Sequence, residues 1–350
     1  MLFETGQNLR QQKNYVQARK NFVTILESDA PESLQRTALM QLALMAQEQG
    51  EPAKAQQIFA QFLKQYHNDP SVPEIFLRQG LLYRQMGVPS LALAKFYAVM
   101  TSSLSSKAGN VAQYQRLVLL AQTEIADTYF LQGKHEEAAE FYGRLLKLDS
   151  AELNKPLIQY KLVRCLSSLA RYPEAASQSK DFLARYPEAA EQPEMRFLLA
   201  SCLKHLGQKE EAVEHVLALL KSQQHLENRA NWIYWQQRAG NEIANQFYEE
   251  SNFVSALDVY TALAELDSSP GWQMPVWYQI GIVYERLQQP QKAVETYVRL
   301  IRREKEPAAT ATPGLKTVLE MARWRANFLG WQAQASTSGA DARPLSSAPQ

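Results

Sequence analysis

The sequence has little of what an enzyme, a metal site or a membrane span requires. Only 14 of its 350 residues are glycine, and the motifs G-x-x-x-x-G-K-[S/T], G-x-G-x-x-G, H-E-x-x-H and G-x-S-x-G do not occur. The five histidines include no pair at the i, i+4 spacing of a helical metal site. No apolar run approaches the roughly 18–20 residues of a spanning helix. We therefore expect no catalytic residues, no cofactor, no metal and no insertion into a membrane.

An excess of one charge is also lacking. The 37 Lys and Arg residues balance 36 Asp and Glu residues, for a formal net charge of +1. This balance does not favour a nucleic acid as partner, because such binding draws on a basic excess that releases counterions. Residues 1–7 lack the basic segment, apolar core and cleavage site of a secretory signal. Two locations stay open: the cytoplasm, if Met1 is the natural start, and the bacterial periplasm or envelope, if the chain is processed or trimmed.

What the sequence does contain is a repeat. An alanine recurs at intervals of 37, 37, 46, 37, 37, 44 and 37 residues. These register alanines are Ala18, Ala55, Ala92, Ala138, Ala175, Ala212, Ala256 and Ala293. The residue four positions later is usually aromatic, at Phe22, Phe59, Phe96, Tyr142, Tyr260 and Tyr297, with Ser179 and Val216 as the departures. Since a spacing of four places both side chains on one helix face, each pair predicts the buried stripe of a helix.

A second helical segment precedes each register alanine. Twelve residues before it stands a small or compact residue: Gly6, Ala43, Gly80, Ala126, Val163, Ala200, Ala244 and Gly281. A small residue there permits close approach of two helices. The turn between the helices contains a glycine in four units, at Gly50, Gly87, Gly133 and Gly207, where it relieves the helix end. Each unit is therefore predicted to be a helix hairpin.

These residues resemble the tetratricopeptide repeat over residues 3–304. The departures are that the usual first-helix tryptophan occurs only as Trp277, and that Ser179 stands where an aromatic is expected. The resemblance implies an all-α fold, a right-handed α-α superhelical solenoid of eight antiparallel hairpins. It also implies that the first helices line a concave groove in which a partner binds.

The sequence also has a second, longer repeat period. Residues 110–150 and 228–268 match at a constant offset of 118, which predicts duplicated modules of about 1–109, 110–227 and 228–304. The wider intervals predict first helices of about 20 residues in repeats 4 and 7. Whether these extended helices project or pack back stays open. After the repeats we expect a linker over 305–312, a capping helix over 313–335 and a disordered tail over 336–350.

The two cysteines, Cys165 and Cys202, lie 37 residues apart and so occupy equivalent positions in neighbouring repeats. Stacked helices lie about 10 Å apart, beyond the roughly 7 Å between Cα atoms that a disulfide spans. Both are expected to be small, buried apolar residues.

The register also predicts which residues face the groove. This set is Met40, Leu77, Arg84, Phe130, Tyr160, Arg164, Phe197, Lys204, Asn241, Asn245, Tyr248 and Tyr278. The mixture of aromatic, basic and amide side chains suits an extended or helical peptide. Trp232 and Trp235 form a possible second contact if the helix end projects; the open alternative is that they belong to the core.

The sequence thus predicts a non-enzymatic scaffold that binds a partner protein in its groove. The phrases at 62–66 and 182–187 resemble those of bacterial envelope repeat proteins of the outer-membrane assembly lipoprotein type, which makes envelope assembly one hypothesis. An RNA-binding helical-repeat protein is the alternative, although register-equivalent positions show no repeated pair of base-reading side chains. An enzyme with an unfamiliar site is the third. The partner and the oligomeric state stay open.

Overall fold

The computed structural model describes residues 1–105, 111–222 and 229–340, and every regular element within those ranges is a helix. The chain divides into two compact units, Met1–Leu169 and Ala170–Gln350. Within the described ranges, no helix combines the length and apolar character needed to cross a membrane.

Unit 1 is a row of antiparallel helices in which each packs against the next. The first helices of its hairpins are α1 (Leu2–Gln11), α3 (Glu32–Glu48), α5 (Val72–Gln85), α7 (Val111–Leu131) and α9 (Lys155–Ser168). The second helices are α2 (Tyr15–Glu27), α4 (Pro52–Gln65), α6 (Pro89–Ser105) and α8 (His135–Leu146). Proline opens α4 and α6, where the missing N–H costs nothing because the first turn of a helix has no acceptor for it.

Unit 2 continues the alternation with one further helix at its end. Its second helices are α10 (Tyr172–Arg185), α12 (Lys209–Lys221), α14 (Phe253–Ala264) and α16 (Pro290–Arg302), and its first helices are α11 (Gln192–His205), α13 (Arg229–Glu249) and α15 (Pro270–Arg286). Two short 3-10 helices, Arg303–Lys305 and Pro307–Thr310, lead into α17 (Pro313–Ala340). The predicted all-α helical-repeat solenoid is confirmed.

The register pattern marks the core of each hairpin. All eight register alanines are completely buried. The aromatic residues that follow them are completely buried as well, except for Tyr260, which is 2% exposed. The small residue sixteen positions before each ring lies on the first helix of the same hairpin, and its size explains how closely the two helices approach each other. A methyl carbon added at Gly80 would lie 2.6 Å from Cδ1 of Phe96, and one at Gly281 would lie 2.6 Å from Cζ of Tyr297. Glycine at these points therefore makes room for a ring of the partner helix.

Two residues, Ser179 and Val216, stand where the other repeats have an aromatic side chain. Ser179 is completely buried, and its hydroxyl donates to the carbonyl oxygen of Ala175 at 2.7 Å, so the polar group is satisfied. Val216 is also completely buried. Both cysteines are buried as predicted, and burial raises the pKa of the Cys165 thiol to about 12.

All eight hairpin turns share one backbone conformation. The residue five positions before each register alanine has a positive φ: it is glycine in the four turns noted above, and otherwise Lys13, Ala170, Ser251 or Gln288, with φ between 56° and 62°. The next N–H commonly donates to the carbonyl five residues back, as Glu51 does to Ala46 at 2.9 Å. This left-handed cap satisfies a carbonyl that the helix end would leave unpaired.

The two long first helices differ in how their added turns are placed. Both α7 and α13 have 21 residues. At the start of α7, Val111 is 64% exposed, so this end is in contact with solvent. In α13, Trp232 is 6% exposed and the Asn231 side chain donates to the carbonyl of Ala190 at 3.0 Å, so this end packs back. The boundaries predicted between the modules, at 109–110 and 227–228, lie outside the described residues.

The helix α17 covers the last hairpin by packing against α15 and α16. Its buried side consists of Leu315, Leu319, Ala322 and Leu329. It extends to Ala340, five residues beyond the predicted end of the capping helix. The rest of the predicted tail, 341–350, lies outside the described residues.

Candidate functional site

Successive first helices of unit 1 are tied together by ion pairs. The Arg10 guanidinium on α1 donates to the Glu48 carboxylate on α3, with Nε and Oε2 3.1 Å apart. Arg84 on α5 pairs with Glu124 on α7. The hydrogen bond from Arg10 holds the pKa of Glu48 below its usual value, whereas burial raises the pKa of Glu124. Arg84, predicted to face a partner, therefore joins two helices of the chain itself.

A third tie in unit 1 involves a tyrosine of the core. The ammonium group of Lys161 on α9 donates to both carboxylate oxygens of Asp127 on α7, at 2.7 and 2.8 Å. The buried hydroxyl of Tyr142 on α8 donates to the same carboxylate at 2.6 Å. Burial raises the pKa of this tyrosine. Asp127 thus joins three helices.

The equivalent residues of unit 2 repeat part of this arrangement. Asn245 and Tyr260 stand 118 residues after Asp127 and Tyr142, and the Tyr260 hydroxyl donates to the Asn245 side-chain oxygen. Burial raises the pKa of Tyr260 to about 12. Asn245, which the sequence assigned to the groove, thereby holds a core tyrosine. The constant offset of 118 was the signal that could have linked these pairs.

Unit 2 has the same kind of tie between its first helices. Lys204 on α11 donates to Gln246 at 2.9 Å and pairs with Glu250 at 2.8 Å, both on or next to α13. Hydrogen bonds from Lys204 and Lys209 hold the pKa of Glu250 below its usual value. Arg286 on α15 donates to the Tyr248 hydroxyl at 3.1 Å. Lys204 and Tyr248, both predicted groove residues, are engaged within the chain.

Three predicted groove residues of unit 1 meet in one place, here named the Phe130 cluster: Phe130 on α7 with Tyr160 and Arg164 on α9. The Arg164 guanidinium carbon lies 5.3 Å from the centre of the Phe130 ring and 5.7 Å from that of Tyr160. An Nη1 of Arg164 also donates to the Tyr160 hydroxyl at 3.2 Å. Tyr160 is buried, Phe130 is half-buried and Arg164 is exposed. The arginine therefore lies over two rings at the surface.

Unit 2 contains a matching group, named the Trp235 cluster: Phe197 on α11 with Tyr234, Trp235 and Arg238 on α13. The Arg238 guanidinium carbon lies 5.1 Å from the Trp235 ring centre and 6.0 Å from those of Phe197 and Tyr234. Its Nη1 donates to the Tyr234 hydroxyl at 2.9 Å. Phe197 and Trp235 are buried, while Tyr234 and Arg238 are exposed.

The sequence prediction missed Arg238 as a member of this surface. Trp235 is only 9% exposed and Trp232 only 6%, so both tryptophans are buried in the core. The aromatic side chain that remains exposed in this segment is Tyr234, which is 51% exposed. Its exposure could not be read from the sequence, because three aromatic residues stand within four positions.

The other predicted groove residues support packing between helices. Leu77 is buried, and Met40 packs against the core formed by α3, α4 and α5. The Tyr278 hydroxyl accepts a hydrogen bond from Nε of Arg325 on α17 at 3.2 Å. Asn241 is half-buried on α13. The predicted set of twelve thus contains one surface cluster in unit 1 and one member of a second cluster in unit 2.

The described residues contain no group of three or more His, Cys, Asp and Glu side chains placed to hold a metal ion. What the two clusters present instead is guanidinium charge on aromatic rings. Arginine, tyrosine and tryptophan are the residue types that dominate binding energy at protein interfaces. Such a surface can bind a carboxylate or a backbone carbonyl while the rings supply apolar contact area.

Comparison with known families locates the same repeats. Models of the tetratricopeptide repeat match residues 37–68, 120–152, 160–225 and 275–307. No curated protein matches the chain.

Several solved structures match parts of the chain. A tetratricopeptide repeat protein from Parabacteroides merdae is 12% identical over 82% of this chain and 98% of its own, with a TM-score of 0.45. The C-terminal part of a repeat-containing protein from Cytophaga hutchinsonii is 12% identical over 91% and 99%, with a TM-score of 0.48. PilW, described as a type IV pilus biogenesis factor, is 21% identical over 62% and 90%, with a TM-score of 0.40.

The matched segments coincide with the helix hairpins and with the register of buried alanines. Four such segments lie in one chain whose hairpin turns share one left-handed cap. The chain therefore contains tetratricopeptide repeats in these four segments.

Proposed function

We propose that this protein is a non-enzymatic scaffold that binds peptide segments of partner proteins on its first helices, at the Phe130 cluster in unit 1 and at the Trp235 cluster in unit 2. Tetratricopeptide repeats generally mediate interactions between proteins, and the fold is typically a scaffold without catalytic activity. The observation that supports the two clusters as contact points is the exposed arginine that lies over aromatic rings in each unit.

The chemistry of the clusters favours a segment that carries carboxylates. A guanidinium group presents several N–H donors in one plane, and a carboxylate accepts two of them at once. The rings beneath the guanidinium groups exclude water from one side and strengthen that interaction. Arg84 and Lys204, which were also predicted to face the groove, form ion pairs between helices with Glu124 and Glu250.

The experiment is affinity capture from the source cell with the intact chain and with the double variant Arg164→Glu, Arg238→Glu. We expect proteins that bind the intact chain to be retained at least about tenfold less by the variant, since each reversal removes a donor and adds repulsion of a carboxylate. Both arginines are exposed, so the variant should keep the helicity of the intact chain. Arg238 also pairs with Glu242 at 3.7 Å, so its reversal lowers the melting temperature by no more than a surface ion pair contributes.

The matched control is Lys64→Glu, Lys221→Glu, which changes the charge by the same amount on exposed positions of the second helices α4 and α12. This control should retain the partners. Equal loss in both variants would indicate a general effect of charge and contradict the proposed site. Retention of the same proteins by all three chains would also contradict it.

A role in bacterial envelope assembly remains part of this proposal, supported by the phrases at 62–66 and 182–187. The captured proteins test it directly. Partners that are resident in the envelope would support it, and partners confined to the cytoplasm would contradict it.

A further inference from the structure

The outer surface of α17 carries an exposed aromatic stripe. Met321, Trp324, Phe328 and Trp331 follow one another at spacings of three, four and three residues, which places them on one side of a helix. Trp324 is 63% exposed, Phe328 41% and Trp331 64%. The rings of Trp324 and Phe328 are stacked, with centres 5.4 Å apart, and the centres of Phe328 and Trp331 are 6.3 Å apart.

This stripe is unusual for a helix that covers one end of the described repeats. The opposite side of α17 is already used, because Leu315, Leu319 and Leu329 are buried against α15 and α16. A terminal helix ordinarily has a polar outer side, which keeps the array from adding another helix. An apolar outer side therefore indicates a position at which one more helix packs.

The charge pattern of α17 indicates what kind of helix packs there. In a chain with 21% charged residues, none occurs from Ala326 to Ala340. Two arginines lie just before this segment, and both are paired within the chain: Arg323 with Glu304, and Arg325 with Glu285 on α15 at 2.9 Å. A strongly charged partner, an anionic membrane surface or a nucleic acid would find no opposite charge along this part of the helix. A copy of the same helix would meet no like charge, which is the usual penalty when a surface pairs with itself.

The order of the rings also suits pairing with a second copy. In an antiparallel pair of α17 helices related by a two-fold axis, Trp324 of each copy lies opposite Trp331 of the other, and the two Phe328 rings lie near the axis. Such an isologous contact needs a surface that complements itself. The exposed parts of the three rings amount to about 400 Å² per copy, roughly half of the ~800 Å² per partner of a standard stable interface.

We propose that the aromatic stripe of α17 forms the centre of a homodimer interface in which two α17 helices pack antiparallel. The dimer does not depend on the clusters of the first helices, so either proposal can fail without the other.

The first test is sedimentation velocity of the full chain between about 1 and 100 µM. We expect a monomer–dimer equilibrium whose dissociation constant rises by about 100-fold or more in the double variant Trp324→Gln, Trp331→Gln. The control Val16→Gln, Val254→Gln alters two exposed valines on α2 and α14. This control should leave the dissociation constant of the dimer unchanged. A monomer throughout this range, or a dimer that persists in the tryptophan variant, would overturn the proposal.

The second test uses the position of Phe328 near the axis. The variants Phe328→Arg and Phe328→Glu should each be monomeric, because the introduced charge meets its own copy. An equimolar mixture of the two should form a heterodimer, because the charges then pair. A mixture that stays monomeric, or a dimer formed by either variant alone, contradicts the antiparallel pairing.

A lipid surface is the other occupant that exposed tryptophans can suit. Co-sedimentation with vesicles of phosphatidylcholine, alone and with one quarter phosphatidylglycerol, separates it from self-association. We expect the chain to stay in the supernatant with both. Binding to vesicles that requires Trp324 and Trp331 would overturn the dimer proposal.

Discussion

Replacement of Gly80 or Gly281 by alanine is expected to lower the free energy of unfolding by about 2–3 kcal/mol. The added methyl carbon at Gly80 would lie 2.6 Å from Cδ1 and 2.9 Å from Cζ of Phe96, closer than carbon atoms approach without a shift. Phe96 is completely buried, so the ring has no free space in which to move. Urea unfolding followed by circular dichroism at 222 nm measures the change.

The matched control is Gly143→Ala on α8, where an added methyl carbon would meet nothing within 4 Å. This substitution should stabilise the protein by about 0.5–1 kcal/mol, because alanine is the better helix former. The double variant Gly80→Ala, Phe96→Leu should recover part of the loss, because leucine frees the space of the ring. Equal effects of Gly80→Ala and Gly143→Ala would contradict the packing of ring on glycine.

Substitution of Asp127 by alanine is expected to cost about 2–3 kcal/mol. The change removes the carboxylate that Lys161 reaches at 2.7 Å and that accepts a hydrogen bond from the Tyr142 hydroxyl at 2.6 Å. Tyr142 is completely buried, so its hydroxyl cannot turn to solvent. The ion pair itself is partly exposed, so most of the expected cost comes from the stranded hydroxyl. The measurement is again urea unfolding.

The control at this position comes from the chain itself. Asn245 accepts from Tyr260 at the equivalent place of unit 2, so an amide can serve a buried tyrosine there. We therefore expect Asp127→Asn to cost clearly less than Asp127→Ala, about 1 kcal/mol. If the two variants were equally unstable, the ion pair with Lys161 rather than the tyrosine hydroxyl would account for the loss, contrary to this interpretation.

The repeat could be predicted because it rests on residue size and spacing. A glycine sixteen positions before an aromatic, as in Gly80 and Phe96, records a contact inside one hairpin, and that contact recurs along the chain. The left-handed turn at Lys13 or Ala170 could also have been predicted, because glycine holds the equivalent position in other repeats. Local packing within a hairpin is thus readable from the register.

The candidate site was harder to predict because it depends on contacts between hairpins. Lys204 stands eight residues before its register alanine and Arg164 stands eleven before its own. Lys204 reaches Glu250, which directly follows the first helix α13, whereas Arg164 lies over aromatic rings. A long, flexible side chain can reach several different acceptors, and the spacing of residues in the sequence does not indicate which one it binds. In the same way, Trp232 is buried because α13 packs back, a contact that the hydrogen bond from Asn231 to Ala190 reveals.

The measurement that most directly tests binding on the first helices is photo-crosslinking from single sites. The photoreactive residue p-benzoylphenylalanine would replace Phe130 or Tyr234, in the two clusters, and Leu91 or Val254, which are exposed on the second helices α6 and α14. We predict that a captured partner crosslinks from Phe130 or Tyr234 and from neither second-helix position. Crosslinks from Leu91 or Val254 alone would contradict the account.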